Sequence, residues 1–228
     1  MGTLTGAQME SEIKANLGNR DDLDSRLYRF LNWAQEYIAR QWNFRELQEI
    51  DTTCDTVASQ AYISQPTGIK NLISIRVLDG TSSRKLVYIP RREFDKWIAK
   101  PDEYTEGTPS HYTSWGSRFY LWRIPDAIYQ TEIQYEKWPT EFAAASSATS
   151  DLMKLDQCII HLATAHALAS LKDMGGAFNY HTAQGEKLLA VAIKNDKQLF
   201  SDEEIKPDYS LSKSGPEYYA DPFIRRQP

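Results

Sequence analysis

Tyr112-Thr113-Ser114-Trp115-Gly116-Ser117-Arg118-Phe119-Tyr120-Leu121-Trp122 sets Gly-Ser between two aromatic runs. Glycine at the first central position marks a two-residue type II′ hairpin turn, so the runs predict a pair of antiparallel strands. Downstream, Pro125-Asp126 turns the chain into a further strand, Ile128–Lys137. There Tyr129, Thr131, Ile133 and Tyr135 share one face and Gln130, Glu132, Gln134 and Glu136 the other, the alternation of an antiparallel sheet with one wet side. Upstream, Ile73, Ile75 and Val77 alternate with Ser74 and Arg76, predicting one apolar face, and Asp79-Gly80 begins a turn to Lys85–Ile89. A short helix is expected after Pro90, with Phe94, Trp97 and Ile98 in a single contact patch and Pro101 closing it. From Glu49 to Thr140 the chain therefore reads as a β-rich insertion. A meander of this kind needs a cover for its apolar face, and the flanking helices are the elements to supply it.

Those flanks carry helical signals. Thr5 with Gln8 three residues on has capping-box spacing, predicting a helix from Thr5 to Leu17 that Gly18 and Asn19 stop. A second helix is expected to start in the acidic cluster Asp21, Asp22 and Asp24, which suits the positive end of a helix dipole. Its apolar stripe is Leu23, Leu27, Phe30, Leu31, Ala34, Ile38 and Trp42, opposite Arg26, Arg29, Glu36 and Arg40. Glu141 to Ser150, with three consecutive alanines, reads as a linker or exposed loop. Helical spacing resumes at Leu155, Ile159, Leu162, His166 and Ala169, and Ala163, Ala165, Ala167 and Ala169 let a neighbouring helix approach closely. Gly175-Gly176 breaks this helix before a last one, about Ala177 to Phe200, with Leu188, Leu189, Ala192, Ile193 and Leu199. Beyond it, four of the 10 prolines and no periodic apolar face predict an extended arm.

The fold class that follows is α+β: N- and C-terminal helices forming an α-helical bundle, an inserted antiparallel β-sheet or meander domain, and an extended C-terminal tail. Residues 1–48 are the N-terminal helices, 49–140 the β-rich insertion with one short helix, 151–200 the C-terminal helical hairpin and 201–228 the arm.

Composition narrows the function. A chain of 228 residues buries enough surface to hold a core without staples. A net charge of −5 argues against a protein whose main task is to grip phosphate backbones. Cys54 and Cys158 fit no metal or redox spacing, and two cysteines make no disulfide framework, which points to folding in a reducing cytoplasm. The N-terminus lacks the basic and apolar blocks of a signal peptide. The most apolar stretch, Cys158 to Leu171, is interrupted by His161, Thr164 and His166, so no membrane span is expected.

Catalytic constellations are missing. His161 and His166 lie five apart and straddle two helix faces, Asp156 misses a shared face with His161, and all are read as structural or solvated. Cys158 beside Ile159-Ile160 reads as a buried, inert thiol. No phosphate loop and no G-x-S-x-G elbow occurs, and the carboxylate pairs Asp21/Asp22 and Glu203/Glu204 sit at a helix start and in the tail. Nothing assembles base, nucleophile and orienter, so no enzyme, cofactor or metal is expected. The basic pairs Arg84-Lys85 and Arg91-Arg92 are short and interspersed among acids, and read as solvated loops.

What the chain has in surplus is aromatic surface: 13 tyrosines and 6 tryptophans, residues suited to interfaces. The tail concentrates it in Tyr218-Tyr219-Ala220-Asp221-Pro222-Phe223-Ile224-Arg225-Arg226. Tyr218, Tyr219, Phe223, Ile224, Arg225 and Arg226 are therefore the candidate partner-binding residues, with folding back on their own domain as the competing reading.

Two stretches resemble the tailed-bacteriophage head–tail adaptor (connector or neck) proteins. One is Gly107-Thr108-Pro109-Ser110-His111-Tyr112, then Trp115-Gly116, then Phe119 to Asp126 and Tyr129. It is similar to the family's G-x-P-x-x-Y strand, tight Gly turn and aromatic strand ending in Pro-Asp. The other is Leu155 to Ala163, similar to the family's Asp-led, Ala-rich helix, and Trp42-Asn43-Phe44 fits a further pattern. The likeness covers most of residues 20–200 by element order, and Arg123-Ile124 departs from the commoner proline-rich strand ending. The resemblance implies a virion structural protein without catalytic residues: a homo-oligomeric ring of twelve copies at the neck between head and tail, made in the host cytoplasm. Its implied partners are the portal protein and a tail, nozzle or terminator protein. Double-stranded DNA would pass through its channel without sequence-specific binding, and the arm would reach the portal or a neighbouring subunit. The competing reading is a soluble carbohydrate- or small-ligand-binding module that stacks sugars on Trp97, Trp115, Trp122 and Trp138.

Overall fold

The computed structural model describes residues 4–80, 82–98 and 103–201. Helix α1 (Gly6–Asn16) opens with the expected capping box: Thr5 Oγ1 accepts the Gln8 N–H and Gln8 Oε1 accepts the Thr5 N–H. Gly18 and Asn19, at φ 75° and 57°, end it in left-handed geometry. The acidic cluster behaves differently from expectation. Helix α2 (Leu27–Gln41) begins beyond it, after a 3-10 turn at Asp24–Arg26, and has no acid in its first turn. Asp21 and Asp24 instead pair with Lys14 of α1 at 2.6 and 2.8 Å, tying the connection down rather than capping a dipole. The apolar stripe of α2 buries Leu27, Phe30, Leu31, Ala34 and Ile38, while Trp42 lies past the helix end in extended backbone.

Helices α4 (Asp156–Ser170) and α5 (Gly176–Ser201) follow the β region, and α3 (Arg91–Trp97) lies within it. Helix α2 packs on α4, and α1 packs on both. Met9 and Ile13 of α1 and Ile159 and Ala163 of α4 are fully buried alongside the α2 stripe. The loop at Glu141 to Ser150 is more firmly held than a linker. Phe142 is buried, its N–H donates to Asn32 Oδ1 at 2.8 Å, and its carbonyl accepts from Asn32 Nδ2 at 3.0 Å. The carbonyls of Ala148 and Ser146 accept the N–H groups of Gly6 and Ala7, so this loop satisfies donors that the start of α1 leaves open.

The strands are β1 (Gln48–Asp51), β2 (Tyr62–Ser64), β3 (Ile69–Asp79), β4 (Ser82–Lys85), β5 (Val87–Tyr88), β6 (His111–Trp115), β7 (Arg118–Trp122) and β8 (Gln130–Lys137). Gly116 takes φ 60° at the first central position of the β6–β7 turn, as the II′ reading requires. The single antiparallel meander is corrected to two four-stranded sheets, β1-β8-β3-β4 and β2-β7-β6-β5, and the β5–β6 pair is parallel. The expected cover is corrected too. Ile75, Val77, Ile133 and Tyr135 of the first sheet meet Ile63, Tyr112, Phe119 and Leu121 of the second in one core. Each sheet covers the other. Leu86 joins that core where the chain leaves β4 for β5 and so changes sheets.

Two local expectations also change. A register shift between Leu72 and Ser74 interrupts β3, leaving Ile73 47% exposed while Ser74 and Ile75 are both buried. A bulge of this kind reverses side-chain parity, so the apolar face is Ile75 and Val77 without Ile73. In α3, Phe94 and Ile98 are buried with Ile89 against Trp122, but Trp97 is 68% exposed and takes no part in the patch. Pro101 and the arm beyond Ser201 lie outside the described residues. The chain divides into two units, Met1–Leu189 and Ala190–Pro228; of the second, the described part is the end of α5.

Replacing Phe119, a fully buried side chain between the sheets, tests that core. Phe119→Ala is expected to lower unfolding free energy by about 3–5 kcal/mol in urea titrations, the usual range for an emptied aromatic site.

Candidate interaction surfaces

Among the described residues no group of three or more His, Cys, Asp and Glu side chains converges as a metal cage, and no helix is long and apolar enough to cross a membrane. Cys158 is buried, donates its Sγ–H to the Gly185 carbonyl at 3.3 Å, and burial pushes its thiol up to about 12. Cys54 is also raised, by burial first and then by the Asp51 carboxylate 3.4 Å from its sulfur. Neither thiol supplies a thiolate near neutral pH.

The histidines separate as their spacing predicts. His166 sits edge-on to Trp33 of α2, with ring centroids 6.2 Å apart. His161 points instead to α5, where its Nδ1 lies 2.9 Å from Nδ1 of His181. His111 Nδ1 pairs with Ser110 Oγ at 2.9 Å. Asp156, at the head of α4, accepts the Leu4 N–H at 3.0 Å and so pins the segment before α1.

A surface the sequence reading missed covers the outer face of the β2-β7-β6-β5 sheet. The Arg118 guanidinium lies 4.1 Å over the Tyr62 ring, and Tyr62 and Tyr120 face one another at 6.0 Å. The Arg91 guanidinium then lies 5.2 Å from Tyr120 and 5.8 Å from both Trp115 and Phe94. Cross-strand pairing explains the alignment, because Tyr62↔Tyr120 and Trp115↔Arg118 are register partners and therefore share a face. Arg91, read from sequence as part of a solvated loop, is thus a helical residue stacked among three rings and paired with Asp95 at 3.0 Å. The signal available in the sequence was the alternation of Arg118 and Tyr120 along one strand.

A second surface is a groove of about 460 Å³ lined by Tyr28, Trp33, Trp138 and Pro139, with Arg29 and Glu36 at its polar side. It holds no nucleophile with a neighbouring base.

The four tryptophans of the sugar-binding reading do not share one environment. Trp122 packs on Ile89, Phe94 and Ile98 and takes the edge of Tyr104 at 4.6 Å. Trp138 lies under the Lys70 ammonium, and Trp115 stands at the turn end of the β6–β7 hairpin, the opposite end from Trp122. The six candidate docking residues of the tail, Tyr218, Tyr219, Phe223, Ile224, Arg225 and Arg226, lie outside the described residues.

Burial holds the imidazoles of His161, His166 and His181 below the usual histidine value, with His161 adding to the effect at His181. An unfolded chain then binds more protons than the folded one below that value. Stability is expected to be full above pH 6.5 and to fall as the pH drops through the lowered folded values. Urea titrations between pH 7.5 and 5 check this, and His166→Gln should flatten part of the slope.

The family model described as SU10 adaptor protein matches residues 4–206, from just before α1 to just beyond α5. No curated protein matches the chain. A match spanning both cores and all five helices settles the kinship that the hairpin and the Asp-led helix suggested: the chain belongs to the SU10 adaptor family of phage head–tail adaptor proteins.

Proposed function

We propose that this virion structural protein works as one subunit of a ring at the neck, joining the portal to the tail and forming part of the DNA channel. The observation that carries the reading is the family match over residues 4–206. The described surfaces support it. Trp33, Trp97 and Trp115 are each more than half exposed, and tryptophan is a residue type enriched at binding faces. They stand on helices and a hairpin whose opposite sides are buried, so little side-chain freedom is lost when a partner docks.

In this reading the helices of residues 1–48 and 151–200 form the bundle at the ring's scaffold, and the β region of 49–140 faces neighbouring subunits. The arm, 201–228, docks through Tyr218, Tyr219, Phe223, Ile224, Arg225 and Arg226 onto the portal or the next copy. Twelve copies are proposed by family resemblance. A net charge of −5 suits a passage that lets a duplex slide, because few counterions are released.

Solution mass with negative-stain imaging, alone and with purified portal protein, tests the proposal. A ring, free or on the portal, is expected; a monomer that ignores the portal and binds glycans would reverse it. Deleting Pro216–Pro228 should leave the circular dichroism and melting transition unchanged and abolish attachment. Trp115→Ala should likewise weaken assembly with little change in stability. Trp122→Ala, by contrast, should destabilise the fold by about 3 kcal/mol, the lower end for a large aromatic because it is only partly buried.

A further inference from the structure

We infer that His161 and His181 form a two-histidine site for an imidazole-preferring divalent cation of the zinc, nickel or copper class, clipping α4 to α5. The two Nδ1 atoms lie 2.9 Å apart across the helix pair, with ring centroids at 5.1 Å and planes tilted by 43°. Metal–imidazole bonds of roughly 2.0–2.1 Å at a tetrahedral angle set two ligand nitrogens about 3.3 Å apart. Widening the pair by a few tenths of an ångström and turning each ring by roughly 35°, so that its Nδ1 lone pair swings off the N–N line toward a shared cation, converts the hydrogen-bonded pair into a chelating one.

The helices are already held for this. One turn from His181, a Cβ added at Gly185 would sit 2.7 Å from Leu162 Cδ2, so the missing side chain permits close approach at that point. The Cys158 thiol donates to the Gly185 carbonyl and fixes the same crossing. The Tyr180 ring stands nearly perpendicular to both imidazoles, at 6.1 and 5.2 Å, and flanks the pair. Preorganisation of this kind lowers the entropy lost on ligation.

The proton balance is simple. As a hydrogen-bonded neutral pair, one ring carries its proton on Nδ1 and donates to the other. On binding, that ring moves the proton to Nε2 through solvent, both Nδ1 lone pairs face the cation, and no net proton is released at neutral pH. Burial keeps both rings neutral, the form that ligates. No third His, Cys, Asp or Glu joins the pair among the described residues, so water fills the other positions. Two imidazoles without a carboxylate select late first-row metals over magnesium or calcium.

The site is independent of the adaptor reading and is measured on the untagged full chain in solution. Titration calorimetry with zinc, nickel or copper chloride alone is expected to show one ion per chain and a raised melting temperature. His161→Gln and His181→Gln should each weaken binding at least tenfold, whereas His111→Gln and His166→Gln should not. Should either variant fold poorly by circular dichroism, histidine-labelled nitrogen resonances of the native chain replace it: metal must shift Nδ1 of residues 161 and 181. No binding by the native chain at millimolar metal, equal binding by the double variant, or shifts confined to other histidines would overturn the site.

Discussion

Mutual burial of two four-stranded sheets is the constraint from which the remaining architecture follows. Ile75, Val77 and Ile133 on one side and Ile63, Phe119 and Leu121 on the other are almost wholly removed from water, each contributing about 1.5–3 kcal/mol by transfer. Sheets whose apolar faces are used on each other have none left for the helices. Helices α1, α2 and α4 must then build a second core among themselves, and they do so with Met9, Ile13, Leu31, Ile38 and Ile159. Polar contacts help to tie the helices to the β region. Lys70 of β3 donates to the Ala39 and Trp42 carbonyls and to Asn43 Oδ1, placing a cation at the carbonyl end of α2. Within the helical part, buried Gln35 of α2 accepts from Ser150 Oγ at 2.6 Å and anchors the return of the chain to α4.

The same constraint creates the exposed aromatic ladder. Strand side chains alternate, so packing Phe119 and Leu121 inward drives Arg118, Tyr120 and Trp122 to the outer face. Helix α3 then covers the Trp122 end through Ile89, Phe94 and Ile98, and reaches the middle of the face with Arg91. The turn end is left open, and Trp115 stands there 63% exposed. For a structural adaptor this is a useful outcome: aromatic contact area is displayed at low entropic cost by a face whose reverse side is core.

How much was legible follows from the range of each interaction. The Thr5/Gln8 capping box, the Gly116 turn and the Thr131–Ile133–Tyr135 face are decided within a few residues, and the sequence states them openly. The bulge at Ile73 depends on how β3 meets β8 some 60 residues later, so no local alternation reveals it. Trp97 is exposed because α3 docks by turning Phe94, with Ile98 just beyond the helix, onto Ile89 and Trp122, an orientation that helical spacing alone leaves open. The acidic cluster was misassigned because a dipole argument sees one helix, whereas the Lys14 partner belongs to another. The two sheets were hidden for the same reason. A run of strands looks like one meander until Leu86 is known to carry the chain from β4 to β5 across the core.

The seam between α4 and α5 shows how a close helix crossing sets the protonation of the side chains it brings together. Gly185 allows the helices to approach at Leu162, and that approach brings Cys158, His161 and His181 within one turn of each other's partners. Burial then raises the thiol and lowers both imidazoles, so every titratable group named in the seam is neutral near pH 7. Neutral groups that satisfy one another avoid the desolvation penalty that a buried ion pair would carry. The thiol stays protonated and engaged by the Gly185 carbonyl, whereas each neutral imidazole can present a ring-nitrogen lone pair to a cation. The facing Nδ1 atoms share one proton in the hydrogen-bonded pair, so a cation enters between them only as that proton leaves for the donor ring's Nε2, and the hydrogen bond and the metal exclude one another.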